Sequence, residues 1–277
     1  MLREVVGCAR VLFVAVGGGG DVVTAAMLAL AARREGLESF TASIVWERFS
    51  VDPVPGPIPL EELRGAERVG EFSAAVNGDT VAVRRGRRIA IQAANVARAL
   101  NEKVYVVDAY RGARGIAQGL RELVELLGVD AVVIASEIVE HADHIIAALE
   151  ADAHVFCAKP ITIWTAHMDR ILRAASQAQK IVLPGQPARY DDGVQEVVRA
   201  VHSGSIGNPL LIRVFVQHEA MPQRWNRDAI RGGGAFSEFG YYCTDFVCWI
   251  TRERPVEVFG YGNNLLNPDM AFWDNVT

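Results

Sequence analysis

The stretch from Ala131 to Pro160, AVVIASEIVEHADHIIAALEADAHVFCAKP, constrains this chain more than any other. Val132, Val133 and Ile134 make a short apolar run of the kind that suits a strand covered on both faces. From His141 to Leu149 the apolar residues Ile145, Ile146 and Leu149 recur at helical spacing. Val155, Phe156 and Cys157 form a second short run, closed by Lys159 and Pro160. Strand, helix and strand in this order read as one crossover unit of a parallel sheet. In an open sheet of this type, ligands bind beyond the carboxyl ends of the strands. Ser136, Glu137 and Lys159 fall at that edge, and Pro160 biases Lys159 toward an extended backbone.

A second unit of the same kind opens the chain. Val11 to Val16 reads as a strand, Gly17, Gly18, Gly19 and Gly20 follow, and an alanine-rich helix runs from Asp21 to about Glu35. Strand, glycine loop and helix together let backbone amides approach a phosphate at a helix N-terminus. The dinucleotide pattern G-x-G-x-x-G is only partly met, since Val22 or Val23 stands at its third glycine. Asp21 would cap the helix, yet its charge would repel a pyrophosphate, so a plain tight turn fits the glycines equally well. Thr41 to Trp46 is a second strand, and Glu47 after it is a candidate for a ribose hydroxyl. A surface glutamate paired with Arg48 is the competing reading.

Further along, Pro53, Pro55, Pro57 and Pro59 demand an extended connection, and Leu60 to Leu63 begins a short helix or turn. Arg84, Arg85, Arg87 and Arg88 surround Gly86 at a hairpin tip. They could grip a 2′-phosphate, although a solvated turn accounts for them as well. Val104 to Val107 is another strand with Asp108 at its end, and Gly112 to Leu127 is expected as a glycine-broken helix.

Charge and cysteines narrow the function class. The formal net charge is −5 with no long basic run, which disfavours nucleic acid as a partner. Cys8, Cys157, Cys243 and Cys248 lack zinc-type spacing, so no metal site is expected, and they read as reduced, buried thiols of a cytoplasmic protein. No apolar run is long enough to span a bilayer, and the N-terminus does not read as a signal peptide.

Ser136, Glu137, His141 and Ala158-Lys159-Pro160 resemble the signature of the glucose–fructose oxidoreductase/inositol dehydrogenase/MocA family. That family carries a small hydroxyl residue, a proline and a histidine after one strand, and E-K-P after the next. Glu137 here replaces the proline and Ala158 the glutamate. The resemblance implies that Lys159 is catalytic, and that Ser136, His141, Lys159 and Pro160 line the site of NAD or NADP. It extends to SGSIGNP after the helix Asp191 to His202, and to the helix following Gly232-Gly233-Gly234. There Glu238, Gly240, Tyr242 and Asp245 match D-x-G-x-H-x-x-D, with Tyr242 at the histidine position. Tyr242 and Asp245 share a helical face. By contrast GGGGDVV, WERFSVDPVPGPIPLEEL, NGDT and YVVD resemble an uncharacterised, largely archaeal family of unknown function over residues 10 to 131. The seam falls near Val129-Asp130-Ala131, inside a strand, where natural fusions seldom join; a recombined or hybrid chain is one expectation.

The expected architecture is α/β: a Rossmann-like parallel sheet with flanking helices over residues 1–184, then a truncated α+β domain over 185–277. Ile181 to Leu183 would close the first sheet. Leu210 to Gln217 and Val256 to Tyr261 would build a second, antiparallel one, left with an open edge that could support a homo-oligomer. The implied activity is hydride transfer between a nicotinamide and a polyol, sugar or related small secondary alcohol. Lys159 would stabilise charge on the reacting oxygen. Tyr242, with a cation such as Lys159 beside it, would trade the proton, and Asp245 would orient Tyr242 or a substrate hydroxyl. The alternative is a non-catalytic nucleotide- or small-ligand-binding protein governed by the first half.

Overall fold

The computed structural model describes residues 7–16, 21–47, 52, 54, 56–217, 232–265, 268 and 273–277. They divide into two compact units, Met1–Pro184 and Gly185–Thr277.

The first unit is built on an eight-stranded sheet. Its strands are β1 (Arg10–Ala15), β2 (Glu38–Ile44), β4 (Glu67–Arg68), β5 (Ser73–Val76), β8 (Val104–Val107), β9 (Ala131–Ala135), β10 (His154–Ala158) and β11 (Val182–Gly185). Their spatial order is β11-β10-β9-β1-β2-β8-β5-β4. β10, β9, β1, β2 and β8 pair in parallel, and β5 and β4 extend the sheet antiparallel. From β1 the chain winds outward through β2 to β8, then returns to the other side of β1 with β9 and β10. The direction of winding therefore reverses between β1 and β9, which is the switch point where ligands enter open α/β sheets.

Alternation within the strands fills both faces. Leu12, Val14, Val132, Ile134, Val155 and Cys157 pack under three helices, α3 (Gly112–Leu127), α4 (Ile138–Glu150) and α5 (Thr165–Ala178). Val11, Phe13, Ala131 and Val133 face the opposite way, toward α1 (Asp21–Arg34). A third cluster joins Val104 and Val106 to α2 (Gln92–Leu100) and to a small antiparallel sheet of β3 (Leu63–Arg64), β6 (Val81–Arg84) and β7 (Arg87–Ala90). The join read from the sequence lies inside this core. β9 pairs with β1 through five residues, and the Asp130 carboxylate accepts from the amides of Ala9 and Arg10, both at 2.8 Å.

Three expectations for this unit need correction. α3 is not broken at its glycines but continuous. A Cβ on Gly115 would lie 2.1 Å from the Asp108 carbonyl oxygen, and one on Gly119 would lie 2.6 Å from that of Phe72. These glycines let the helix press onto the sheet. The arginine hairpin forms as read, with Arg85 and Gly86 both at positive φ in its turn. Arg84, however, is no surface grip for an anion. It is buried, its Nη1 2.7 Å from the fully buried Asp52 and its Nε 2.7 Å from Glu62. A second strand was expected over Thr41 to Trp46; β2 instead starts at Glu38 and ends at Ile44.

The second unit holds α6 (Asp192–His202), a π-helical turn (Phe236–Gly240) that leads into α7 (Tyr241–Thr251), and a short antiparallel pair of β12 (Gly262–Asn263) and β13 (Asn275–Val276). Leu210 to Gln217 and Val256 to Tyr261 are not strands. Among the described residues only Tyr261 of these segments finds a backbone partner, exchanging hydrogen bonds with Thr277 at 2.7 and 2.8 Å, and Leu210 and Val256 are fully exposed. A strand exists through its partner's hydrogen bonds, and alternation of side chains alone does not supply them.

Candidate functional site

The site is built where β9 and β10 end side by side. The loop after β9 carries Ser136 and Glu137; the loop after β10 carries Lys159, joined to Pro160 by a cis peptide bond. His141, on the first turns of α4, sits between the two loops and is 1% exposed. Its Nε2 lies 2.9 Å from the Ser136 carbonyl oxygen, and its Nδ1 lies 2.9 Å and 3.2 Å from those of Pro160 and Ile161. His144, one turn on, has Nδ1 2.9 Å from the Ser136 hydroxyl. Burial, reinforced by His141, pushes the His144 imidazole down to about 4, so it is neutral near pH 7. Burial also lowers His141, against the pull of the three carbonyls. Ser136 and His141, both expected at a cofactor, thus spend their polar atoms on each other's surroundings, and His141 faces backbone rather than open space. Lys159 is half-buried at the carboxyl edge.

A cavity of about 160 Å3 opens at the switch point, between the ends of β1 and β9 and the first turns of α1. Phe13, Ala15, Val133 and Ala135 form its apolar wall, and Asp21, Thr24 and Leu28 the rim on α1. Asp21 begins the helix there, and burial raises its carboxyl above the ordinary value. Gly17, Gly18, Gly19 and Gly20 lie outside the described residues. Glu47, expected at a ribose, has Oε1 2.7 Å from the Gln92 amide and so caps the start of α2. Burial raises its carboxyl, the Gln92 amide opposes this, and Asp52 adds to the rise. An apolar wall at the switch point beside a helix start is what a dinucleotide needs, and these residues fit one; Asp21 is the feature that departs from the pattern.

In the second unit, Tyr242 and Asp245 lie on one face of α7. Tyr242 packs on Tyr241 with ring centroids 4.2 Å apart. Asp245 is gripped on both oxygens by Arg189, from Nε at 3.0 Å and Nη2 at 2.7 Å, and the guanidinium also rests over Trp249. Arg189 is held in turn, its carbonyl accepting from the Gln195 side chain at 2.9 Å. Sequence reading missed this arginine; its only signal was a basic residue just ahead of the Asp191 cap.

The thiols of Cys8 and Cys157 are buried and free, and burial pushes Cys157 up to about 12, an inert state. Among the described residues no group of metal-ligating side chains gathers, and no helix is long and apolar enough to cross a membrane.

Comparison with known proteins divides the chain as its motifs do. Residues 12–136 match a protein family of unknown function, DUF1152. Residues 194–277 match the GFO/IDH/MocA C-terminal domain. The myo-inositol 2-dehydrogenase of Thermotoga maritima is 32% identical over 175 residues, covering 63% of this chain and 49% of that protein. The scyllo-inositol 2-dehydrogenase (NAD(+)) of Bacillus subtilis is 26% identical over 156 residues, covering 56% and 45%. The chain spans about half the length of these curated relatives. A probable dehydrogenase structure from Thermotoga maritima superposes with TM-score 0.60 at 22% identity, over 93% of this chain and 59% of that one, which establishes the Rossmann-like fold.

Proposed function

We propose that the chain is an NAD(P)-dependent oxidoreductase that moves hydride between a nicotinamide and a secondary alcohol of a polyol or sugar. The observation that carries this reading is the edge where β9 and β10 meet. There the Ser136 loop and the Lys159-Pro160 loop stand side by side, next to a switch-point cavity. The inositol dehydrogenases among the relatives make cyclic polyols the first substrates to try.

When bound, the nicotinamide supplies the hydride acceptor or donor. The apolar wall of Phe13, Ala15, Val133 and Ala135 excludes water, and the start of α1 favours phosphate. Lys159 donates a hydrogen bond to the alcohol oxygen and stabilises negative charge as it develops there. Within the second unit, Tyr242 offers a hydroxyl that can exchange a proton, and Asp245, with both oxygens already held by Arg189, offers a fixed acceptor on the same helical face.

One observation favours a second reading, a non-catalytic nucleotide- or small-ligand-binding protein. The match to a family of unknown function covers β1, α1 and β2, the elements that would hold the dinucleotide. Thermal melting with NAD(H) and NADP(H) tests the first reading. At a concentration near 100 times its dissociation constant, the right cofactor stabilises by about 2.7 kcal/mol, a shift of several degrees. Lys159→Ala should then abolish myo-inositol-dependent reduction of the cofactor while keeping that shift. A shift without turnover in the unaltered chain would favour the binding-protein reading, and no shift with either cofactor would sink the first.

A further inference from the structure

The first turns of α4 hold a histidine whose surroundings are unusual in one respect. Among the described residues the hydrogen-bond partners of the His141 ring are backbone carbonyls, and these come from two different strand ends. Ser136 follows β9; Pro160 and Ile161 follow β10. The contacts are at 2.9 to 3.2 Å, and solvent reaches almost none of the ring. Carbonyl oxygens only accept. A neutral imidazole has a single N–H, so it satisfies one loop and turns a lone pair toward the other; the doubly protonated ring donates to both. In either state the ring is the one side chain that both loops share at these contacts. Ser136 is fixed a second time, through its hydroxyl, by the buried His144.

We infer that His141 is a positioning residue: it ties the loop after β10 to the loop after β9 and so sets where the Lys159 amine stands. The inference rests on Lys159 being the functional amine of the proposed reaction, but the geometry behind it needs no ligand. Pro160, whose carbonyl His141 holds, is covalently next to Lys159. Loss of the ring frees that carbonyl, and the Lys159 backbone with it. A buried histidine that merely filled space would be replaced without consequence by phenylalanine, which is similar in shape and has no donor. A donor-bearing substitute such as glutamine would restore the tie in part.

The lysine content makes this measurable without turnover. The chain has three lysines, Lys103, Lys159 and Lys180. Lys103 and Lys180 are engaged elsewhere, with Glu67 and Asp152, and serve as internal references. Trace labelling of the full chain with acetic anhydride, read lysine by lysine by mass spectrometry, gives the relative reactivity of Lys159. His141→Phe should change that reactivity by about fivefold, the equivalent of one buried hydrogen bond, while the ratio of Lys103 to Lys180 stays fixed. His141→Gln should fall closer to the original chain. Should His141→Phe not melt cooperatively, His141→Gln and His141→Asn carry the comparison. Unchanged Lys159 reactivity in His141→Phe, or in the shorter His141→Asn where His141→Phe does not melt cooperatively, overturns the inference, as does a parallel change at all three lysines. Failure of the cofactor to shift the melt of the unaltered chain would instead remove the proposed function and leave the labelling result intact.

Discussion

The two units of this chain use similar residues to opposite effect. In the first, Val132, Ile134 and Val155 are essentially buried, because β9 and β10 have hydrogen-bonded neighbours and helices on top of them. In the second, Leu210, Phe215, Val256 and Phe259 are equally apolar, yet 79–102% exposed, on backbone with no strand partner among the described residues. Apolar content therefore does not decide burial here. A strand contributes to a core only when a partner takes up its amides and carbonyls and a second layer covers its side chains. The first unit should accordingly respond to substitution as a cooperative core, and these segments of the second should not.

The largest expected effect lies at the buried charges of the first unit. Arg84→Ala leaves Asp52 fully buried without its guanidinium and takes the same partner from Glu62. Removing one side of a buried ion pair costs about 3–5 kcal/mol. Urea denaturation should show the midpoint falling with little change in slope. A loss under about 1 kcal/mol would mean water reaches Asp52, and that this end of the core is looser than its contacts imply.

A smaller effect follows from His144. Its folded pKa, about 4, lies below the ordinary 6.5. The unfolded chain therefore binds the proton first as pH falls, and the stabilisation present above pH 6.5 is lost progressively down to about 4. Between pH 7.5 and 5 the loss attributable to this residue is about 2 kcal/mol. His144→Leu should flatten the stability profile over that window; a profile of unchanged slope would show that His144 is protonated in the fold or reached by water.

The sequence was legible where local pattern and fold agree. Short apolar runs separated by helical spacing announced β1, β9, α4 and β10, and Arg85-Gly86 announced its hairpin. What escaped reading depends on residues far apart in the chain. The burial of Arg84 needs Asp52, 32 residues earlier, and the fixing of Asp245 needs Arg189, 56 residues earlier. His141 stood out as a motif residue, but its partners are carbonyls, and every residue has a carbonyl, so no side-chain pattern could reveal its role. Gly115 and Gly119 looked like breaks because sequence shows a glycine's freedom, not the backbone that will approach it. Leu210 to Gln217 misled for the complementary reason: alternation records which side chains would share a face, and says nothing of whether a neighbour arrives.

That segment also gives the smallest expected effect and the most direct test of the contrast. Leu210 is fully exposed and Phe215 largely so. Leu210→Ser and Phe215→Ser should each change stability by no more than about 0.5 kcal/mol, as substitutions away from packed features do. Both are read from urea midpoints at two protein concentrations a hundredfold apart. A loss well above 1 kcal/mol at either position would show that these side chains are covered in solution. If the midpoint of the unaltered chain then rises with concentration, the cover is a second copy of the chain, because only association makes stability depend on protomer concentration. If it does not rise, the cover comes from within the same chain, and the contrast between the two units is one of degree. No loss at either position and no concentration dependence would leave these segments as apolar surface, and would confine the cooperative core to the unit that carries Lys159.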